Sequence, residues 1–130
     1  MHPVALICTT ILGLLLFGLG LAVSVQRFRE KRGMGSSDDP KNRLNKLVRA
    51  HANTAEFAPF LAVLFLFLGS RDPSPLALGL IVAATACRVL LVLGLVATRS
   101  LARPNPLRFT GALGTYLTGA ALSVLLLAGL

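Results

Sequence analysis

Four long apolar segments, separated by short polar ones, make up most of this chain. They cover residues 3–26, 47–68, 76–98 and 109–130. Each has about the 20 residues that an α-helix needs to cross a hydrocarbon core of roughly 30 Å, and each is far longer than a barrel strand. The pattern predicts an all-α integral membrane protein, a four-transmembrane-helix bundle that forms a single domain over residues 1–130.

Local signals set the predicted helix bounds at about 3–26, 41–68, 76–98 and 108–130. The second helix is longer than its apolar segment because Asp39-Pro40 is typical of a helix start, with Asp39 as the N-cap and Pro40 at the first helical position. We therefore expect this helix to begin in water near Lys41 and to enter the membrane near Leu47.

The distribution of charge predicts the orientation of the bundle. Charged residues are 14% of the chain and hydrophobic ones 55%, whereas soluble domains have about 25% charged residues. The net charge of +8 could indicate nucleic-acid binding, but the cations concentrate in and beside loops 27–40 and 99–107, and the turn before the third helix has only Arg71, offset by Asp72. This is the positive-inside asymmetry of membrane proteins. We expect the basic loops to lie in the cytoplasm, near the acidic head groups of lipids. Both termini would then lie on the other side of a bacterial inner membrane, and no nucleic-acid partner is expected.

The second helix carries polar residues inside an apolar segment, in the stretch RAHANTAE. At about 100° per residue, Asn53 lies about 40° round from Arg49, and Glu56 about 20° in the other direction. These three side chains form a polar stripe on one face, whereas His51 lies at about 200°, on the opposite face. We expect His51 either to pack between helices or to form a hydrogen bond across helices or to a neighbouring subunit.

Depth in the membrane relates this stripe to the third helix. At about 1.5 Å per residue, Glu56 lies about 14 Å below Leu47, and Arg88 lies about 15 Å from the cytoplasmic end near Thr98. A single charge is costly in hydrocarbon. We therefore predict that Glu56 and Arg88 are paired or are bridged by a ligand.

The polar groups could form a structural network that holds the bundle together, or a ligand site. Arg49, Asn53, Glu56 and Arg88 have many hydrogen-bond donors and few acceptors, which favours a zwitterionic or anionic ligand. Arginine binds carboxylates through two hydrogen bonds, asparagine offers a donor and an acceptor, and glutamate can bind an amine. No metal is expected, because no second His or Cys lies at ligand spacing from His51.

The stretch RAHANTAEFAP resembles the second-helix signature of the MAPEG family, the membrane-associated proteins in eicosanoid and glutathione metabolism. That signature is R-x-H/Q-x-N-x-x-E followed by an aromatic residue and a proline, and every polar position matches. The resemblance extends over the whole chain: four helices, a basic first loop, an arginine in the third helix and a basic third loop with prolines. It implies a homotrimer that binds glutathione between neighbouring subunits near the cytoplasmic side.

The resemblance also implies roles for particular residues. Arg49 would bind a glutathione carboxylate, and Asn53 and Glu56 would bind its polar backbone and amine. Arg27, at the end of the first helix, resembles a further carboxylate-binding arginine. An arginine near the start of the fourth helix would stabilise the thiolate, because a nearby positive charge favours the ionised thiol. Either Arg103 or Arg108 fits that position.

The aromatic residues depart from the family pattern. Phe57 follows the glutamate, where several glutathione-binding members have tyrosine, and Leu91 and Leu95 occupy the places of two further tyrosines after the third-helix arginine. The sole tyrosine, Tyr116, is in the fourth helix. These differences imply a more apolar site with fewer hydroxyl contacts.

Together these features favour a glutathione-dependent transferase or peroxidase. Its second substrate would be a lipophilic small molecule, either an electrophile or a lipid hydroperoxide, that enters from the lipid bilayer. The alternative is a non-enzymatic four-helix membrane subunit that binds lipid or a protein partner. A four-helix drug exporter is less favoured, because such exporters usually place a glutamate in the first helix, and residues 3–26 contain no acidic residue.

Overall fold

Four helices form the whole of the fold that a computed structural model describes, over residues 1–128. They are α1 (Pro3–Arg29), α2 (Arg43–Gly69), α3 (Pro75–Val96) and α4 (Pro106–Ala128). All four are long and apolar enough to cross a membrane, which confirms an all-α, multi-pass integral membrane protein. Residues 129–130, which the sequence analysis places in the fourth helix, lie outside the described residues.

The start of α2 differs from the sequence prediction. Asn42 is the N-cap, and its Oδ1 accepts a hydrogen bond from the backbone N of Asn45 at 3.1 Å. Asp39 instead closes a turn ahead of the helix, where its Oδ1 accepts from the backbone N of Lys41 at 2.9 Å. Asp and Asn can each form such a local turn or cap a helix, so the motif alone did not decide which residue caps α2.

The helices do not all contact one another equally. The most extensive contacts are between α1 and α2 and between α3 and α4, with smaller interfaces of α3 against α1 and α2. Contact between α2 and α4 is sparse. A gap therefore lies between α2 and α4, with α3 behind it.

Two backbone hydrogen bonds fix the ends of the bundle. At one end, the backbone N of Leu101 donates to the carbonyl of Pro40 at 2.9 Å, which joins the two basic loops. At the other end, the backbone N of His2 donates to the carbonyl of Gly69 at 2.8 Å. The cation-rich loops thus share one end of the bundle, which we call the basic end.

The α3–α4 interface depends on close backbone contact. A Cβ placed on Gly111 of α4 would lie 2.6 Å from the backbone N of Leu91 and 2.7 Å from the carbonyl O of Cys87, both in α3. Backbone atoms cannot move aside as a flexible side chain could. Small residues let membrane helices approach this closely. Gly111 therefore sets the separation of the two helices together with Gly94 of α3, where an added Cβ would lie 2.7 Å from the backbone N of Arg108.

We expect Gly111→Ala to lower the free energy of unfolding by about 1–3 kcal/mol, because overpacking forces the backbone to shift. The matched control is Gly79→Ala in α3, where an added Cβ would meet nothing within 4 Å. Denaturant or thermal unfolding in detergent measures both variants. Equal stability of the two would contradict the close contact.

Candidate functional site

A groove of about 1170 Å³ occupies the α2–α4 gap at the basic end. One wall is α2, with Arg49, Asn53 and Glu56, and the opposite wall is the start of α4, with Arg108. Leu91 and Leu95 of α3 form the floor, and residues 101–105 of the third loop form the mouth. Five of the seven site residues predicted from sequence line this groove: Arg49, Asn53, Glu56, Arg103 and Arg108.

The polar stripe of α2 faces the groove. Arg49 and Glu56 are exposed and Asn53 is half-buried. His51 lies on the other side of α2, where its Nε2 would be 3.2 Å from a Cβ placed on Gly20 of α1. The contact favours the packing role for His51 and separates it from the groove.

Arg88 lies behind the groove. Of the two arrangements predicted for Glu56 and Arg88, the direct ion pair is absent among the described residues, and bridging by a ligand stays a prediction. Arg88 is only 1% exposed. Its NH2 donates to Oδ1 of Asn53 at 2.9 Å and to Oγ1 of Thr54 at 3.5 Å. Within residues 1–128 no ion pair joins Arg88 to Glu56. The guanidinium is directed into the α2–α3 interface, whereas the Glu56 side chain is exposed to the groove, so equal depth does not bring the two charges together.

The hydrogen-bonding capacity of Arg88 is only partly used. Among the described residues, its Nε and NH1 are buried without a hydrogen-bond partner. A guanidinium stays charged in proteins, and a buried donor left unpaired is costly. The Cζ of Arg88 lies 5.4 Å from the centroid of the Phe57 ring, within the range in which an aromatic face attracts a cation.

Phe57 also contacts Tyr116 across the α2–α4 gap. The two ring centroids are 5.5 Å apart and the rings are tilted by 47°, a favourable geometry for an aromatic pair. From the sequence, Tyr116 is only a departure from the family pattern. Its contact with Phe57 could not be predicted, because no spacing along the chain relates a residue of α4 to one of α2.

The two candidate arginines, Arg103 in the third loop and Arg108 at the start of α4, differ in how they are held. Arg108 is half-buried, and its NH1 donates to the carbonyl O of Leu101 at 2.9 Å and to that of Arg103 at 3.5 Å. Arg103 has an exposed side chain at the groove mouth. Asn105, which sequence analysis did not single out, accepts from the backbone N of Leu107 at 2.9 Å and donates to the carbonyl O of Gly94 at 3.3 Å. It thereby fixes the start of α4 against the end of α3.

Arg27 lies away from the groove of its own chain. Its NH2 donates to the carbonyl O of Gly35 in the first loop at 3.3 Å, and it is not among the groove-lining residues. No group of three or more His, Cys, Asp or Glu side chains within residues 1–128 could hold a metal ion.

These features define a four-helix integral membrane protein with a polar groove that opens at its basic end. Residues 5–128, nearly the whole chain, match the MAPEG family. The chain belongs to this family, and is thus a membrane protein of eicosanoid and glutathione metabolism. Comparison with curated proteins gave no match.

A double-mutant cycle tests the revised partner of Arg88. We expect Asn53→Ala to lower the free energy of unfolding by about 1.5–3 kcal/mol, the usual contribution of a hydrogen bond to a charged group. In an Arg88→Gln background its effect should be much smaller, because the acceptor has no guanidinium left to bind. Glu56→Gln serves as the matched comparison, and its effect should be nearly additive with Arg88→Gln. Stronger coupling for Glu56 than for Asn53 would restore the original pairing.

Proposed function

We propose that this protein is a glutathione-dependent transferase or peroxidase that acts on lipophilic electrophiles or lipid hydroperoxides. The observation that carries the proposal is the groove itself, where Arg49, Asn53 and Glu56 on one wall face Arg108 on the other. Its volume of about 1170 Å³ exceeds the roughly 300–1000 Å³ of a typical ligand pocket. It therefore has room for glutathione together with a second reactant.

The chemistry of the α2 wall matches that of glutathione, a tripeptide with two carboxylates, an amine and a thiol. The Arg49 guanidinium suits a carboxylate and the Glu56 carboxylate suits the amine. Arg88 donates a hydrogen bond to Oδ1 of Asn53. The amide NH₂ of Asn53 can therefore donate to a peptide carbonyl of the ligand. In this proposal Arg88 positions Asn53 through this hydrogen bond.

The sequence leaves Arg103 and Arg108 as candidates for the arginine that stabilises the thiolate. Of these two, we propose that Arg108 lies beside the thiol. Two loop carbonyls hold its NH1, so the charge is pre-organised and the remaining guanidinium nitrogens can face the groove. A fixed cation beside a thiol lowers the thiol pKa and increases the fraction of nucleophilic thiolate. Arg103 would act as a mobile charge at the mouth.

The exposed charges of one chain also support an assembly with neighbouring subunits, which we propose is a homotrimer. Arg49 and Glu56 are exposed in the single chain, although a charged side chain in a membrane helix faces protein or a water-filled cavity. We propose that a neighbouring subunit covers the groove and that Arg27 contributes to a neighbour's groove. The basic end would face the cytoplasm, the source of glutathione, with both termini on the other side of a bacterial inner membrane.

Thermal unfolding in detergent, with and without millimolar glutathione, tests binding. We expect glutathione to stabilise the wild type, by about 2.7 kcal/mol if its concentration reaches about 100 times Kd. Arg49→Ala should lose most of this shift. Arg43→Ala, an exposed cation on the same helix that does not line the groove, should keep it. If glutathione shifts neither wild type nor Arg43→Ala, the alternative of a non-enzymatic membrane subunit gains.

The ultraviolet absorbance of the thiolate, followed against pH with bound glutathione, tests the assignment of Arg108. Arg108→Gln should move the titration of the thiol upward by about 1–3 pH units, since a close opposite charge shifts a pKa by that amount. Arg108→Lys should recover part of this shift, and Arg103→Gln should change it little. The reverse order of effects would assign the role to Arg103.

A further inference from the structure

A second groove lies in the same α2–α4 gap, towards the end of the bundle opposite the basic loops. Its volume is about 370 Å³, and α2 contributes Phe60, Val63, Leu64 and Phe67, while α4 contributes Ser123, Leu126 and Leu127. The lining is apolar apart from Ser123, whose hydroxyl donates to the carbonyl O of Gly119 in its own helix at 2.9 Å. Because this proton is already donated, the apolar groove offers a ligand no hydrogen-bond donor, and it suits a hydrocarbon chain.

The Phe57–Tyr116 pair separates the apolar groove from the polar one. On α2, Glu56 lines the polar groove and Phe60 the apolar one, with Phe57 between them. On α4, Ala112 lines the polar groove and Ser123 the apolar one, with Tyr116 between them. The two ring centroids are 5.5 Å apart across the gap, so the aromatic pair, which lines neither of these grooves, lies at the boundary between them along both helices.

Tyr116 places a hydroxyl at this boundary, deep in the membrane. It lies ten residues after Pro106, the first residue of α4, or about 15 Å into the helix. Helical side chains lean towards the N-terminus of their helix, which here is the direction of the polar groove. The side chain is 52% exposed, and a phenol in a dry environment needs a hydrogen-bond acceptor.

We propose that Tyr116 determines substrate specificity by donating a hydrogen bond to the oxygen of a long-chain electrophile whose hydrocarbon chain lies in the apolar groove. This inference rests on the proposed glutathione chemistry. The substrate class is the 2-enals and 2-enones, which join a reactive carbon to an oxygen acceptor and an apolar tail. Glutathione comes through the polar groove and the electrophile through the apolar one, and the reacting atoms meet at the Phe57–Tyr116 pair.

The reaction of this class gives the hydroxyl a defined role. The thiolate sulfur forms a bond to the β-carbon, and the π electrons of the carbon–carbon double bond move so that the carbonyl oxygen becomes an enolate oxygen. A proton from the medium then adds to the α-carbon, so the net change is addition of S and H across the double bond with no further reactant. A donor directed at the oxygen stabilises the charge as it develops.

The first experiment measures kcat and KM of wild type and Tyr116→Phe with a long-chain 2-enal and with a benzyl halide, which has no oxygen acceptor. Phenylalanine keeps the ring contact with Phe57 and removes only the hydroxyl. We expect the ratio of kcat/KM for the enal to that for the halide to fall about tenfold or more, the effect of losing one donor to a developing oxyanion. An equal loss for both substrates would show a structural role for Tyr116 and overturn the inference.

The second experiment fills the apolar groove with Ser123→Phe and compares 2-enals of increasing chain length. We expect the preference for long chains over short ones to disappear, while the wild type retains it. The matched control is Ser24→Phe, an exposed position on α1 whose hydroxyl makes the same type of bond, to the carbonyl O of Gly20. If Ser123→Phe keeps the chain-length preference of the wild type, the hydrocarbon chain does not bind in the apolar groove and the inference is overturned.

The experiments distinguish failure of the specificity inference from failure of the proposed glutathione chemistry. If wild-type protein conjugates glutathione to the halide but shows no dependence on Tyr116 or on Ser123, the glutathione chemistry stands and the specificity inference falls. If wild-type protein conjugates glutathione to neither substrate and glutathione causes no thermal shift, both fall together.

Discussion

The close backbone contact of α3 with α4 at Gly111 is the constraint on which the functional features depend. Because α4 is held tightly against α3, it lies away from α2, and their sparse contact leaves a gap along the bundle. Both grooves occupy that gap. A larger residue at position 111 would push α4 from α3 and change the width of both grooves, so the packing of one helix pair sets the geometry of a site formed by another.

The buried guanidinium of Arg88 has an indirect effect on the groove. It binds the amide oxygen of Asn53 and thus determines which side of that amide faces a ligand. It also leaves the Glu56 carboxylate free. A direct Arg88–Glu56 pair would neutralise the one acid of the polar stripe, so the hydrogen bond to Asn53 preserves the mixed charge that a zwitterionic ligand needs.

The sequence was sufficient for the four helices and for the face of α2 that carries the stripe, because both follow from length and helical period. It was not sufficient for contacts between helices. Equal depth suggested Glu56 as the partner of Arg88, but depth says nothing about rotation of one helix against another. For the same reason, the contact between Phe57 and Tyr116 could not be predicted from the sequence. Nor does the sequence show the hydrogen bonds of Arg108 to the third loop, on which our proposal of Arg108 over Arg103 depends.

The hydrogen bond between Leu101 and Pro40 has a consequence for the approach of a reactant from water. It holds the first and third loops together, so their like charges stay concentrated at the basic end, where the groove opens, in spite of mutual repulsion. Such a positive field attracts anions over several ångströms, and salt weakens it. An anionic peptide would therefore be steered towards the mouth before any contact forms, and its association rate would decrease as ionic strength increases.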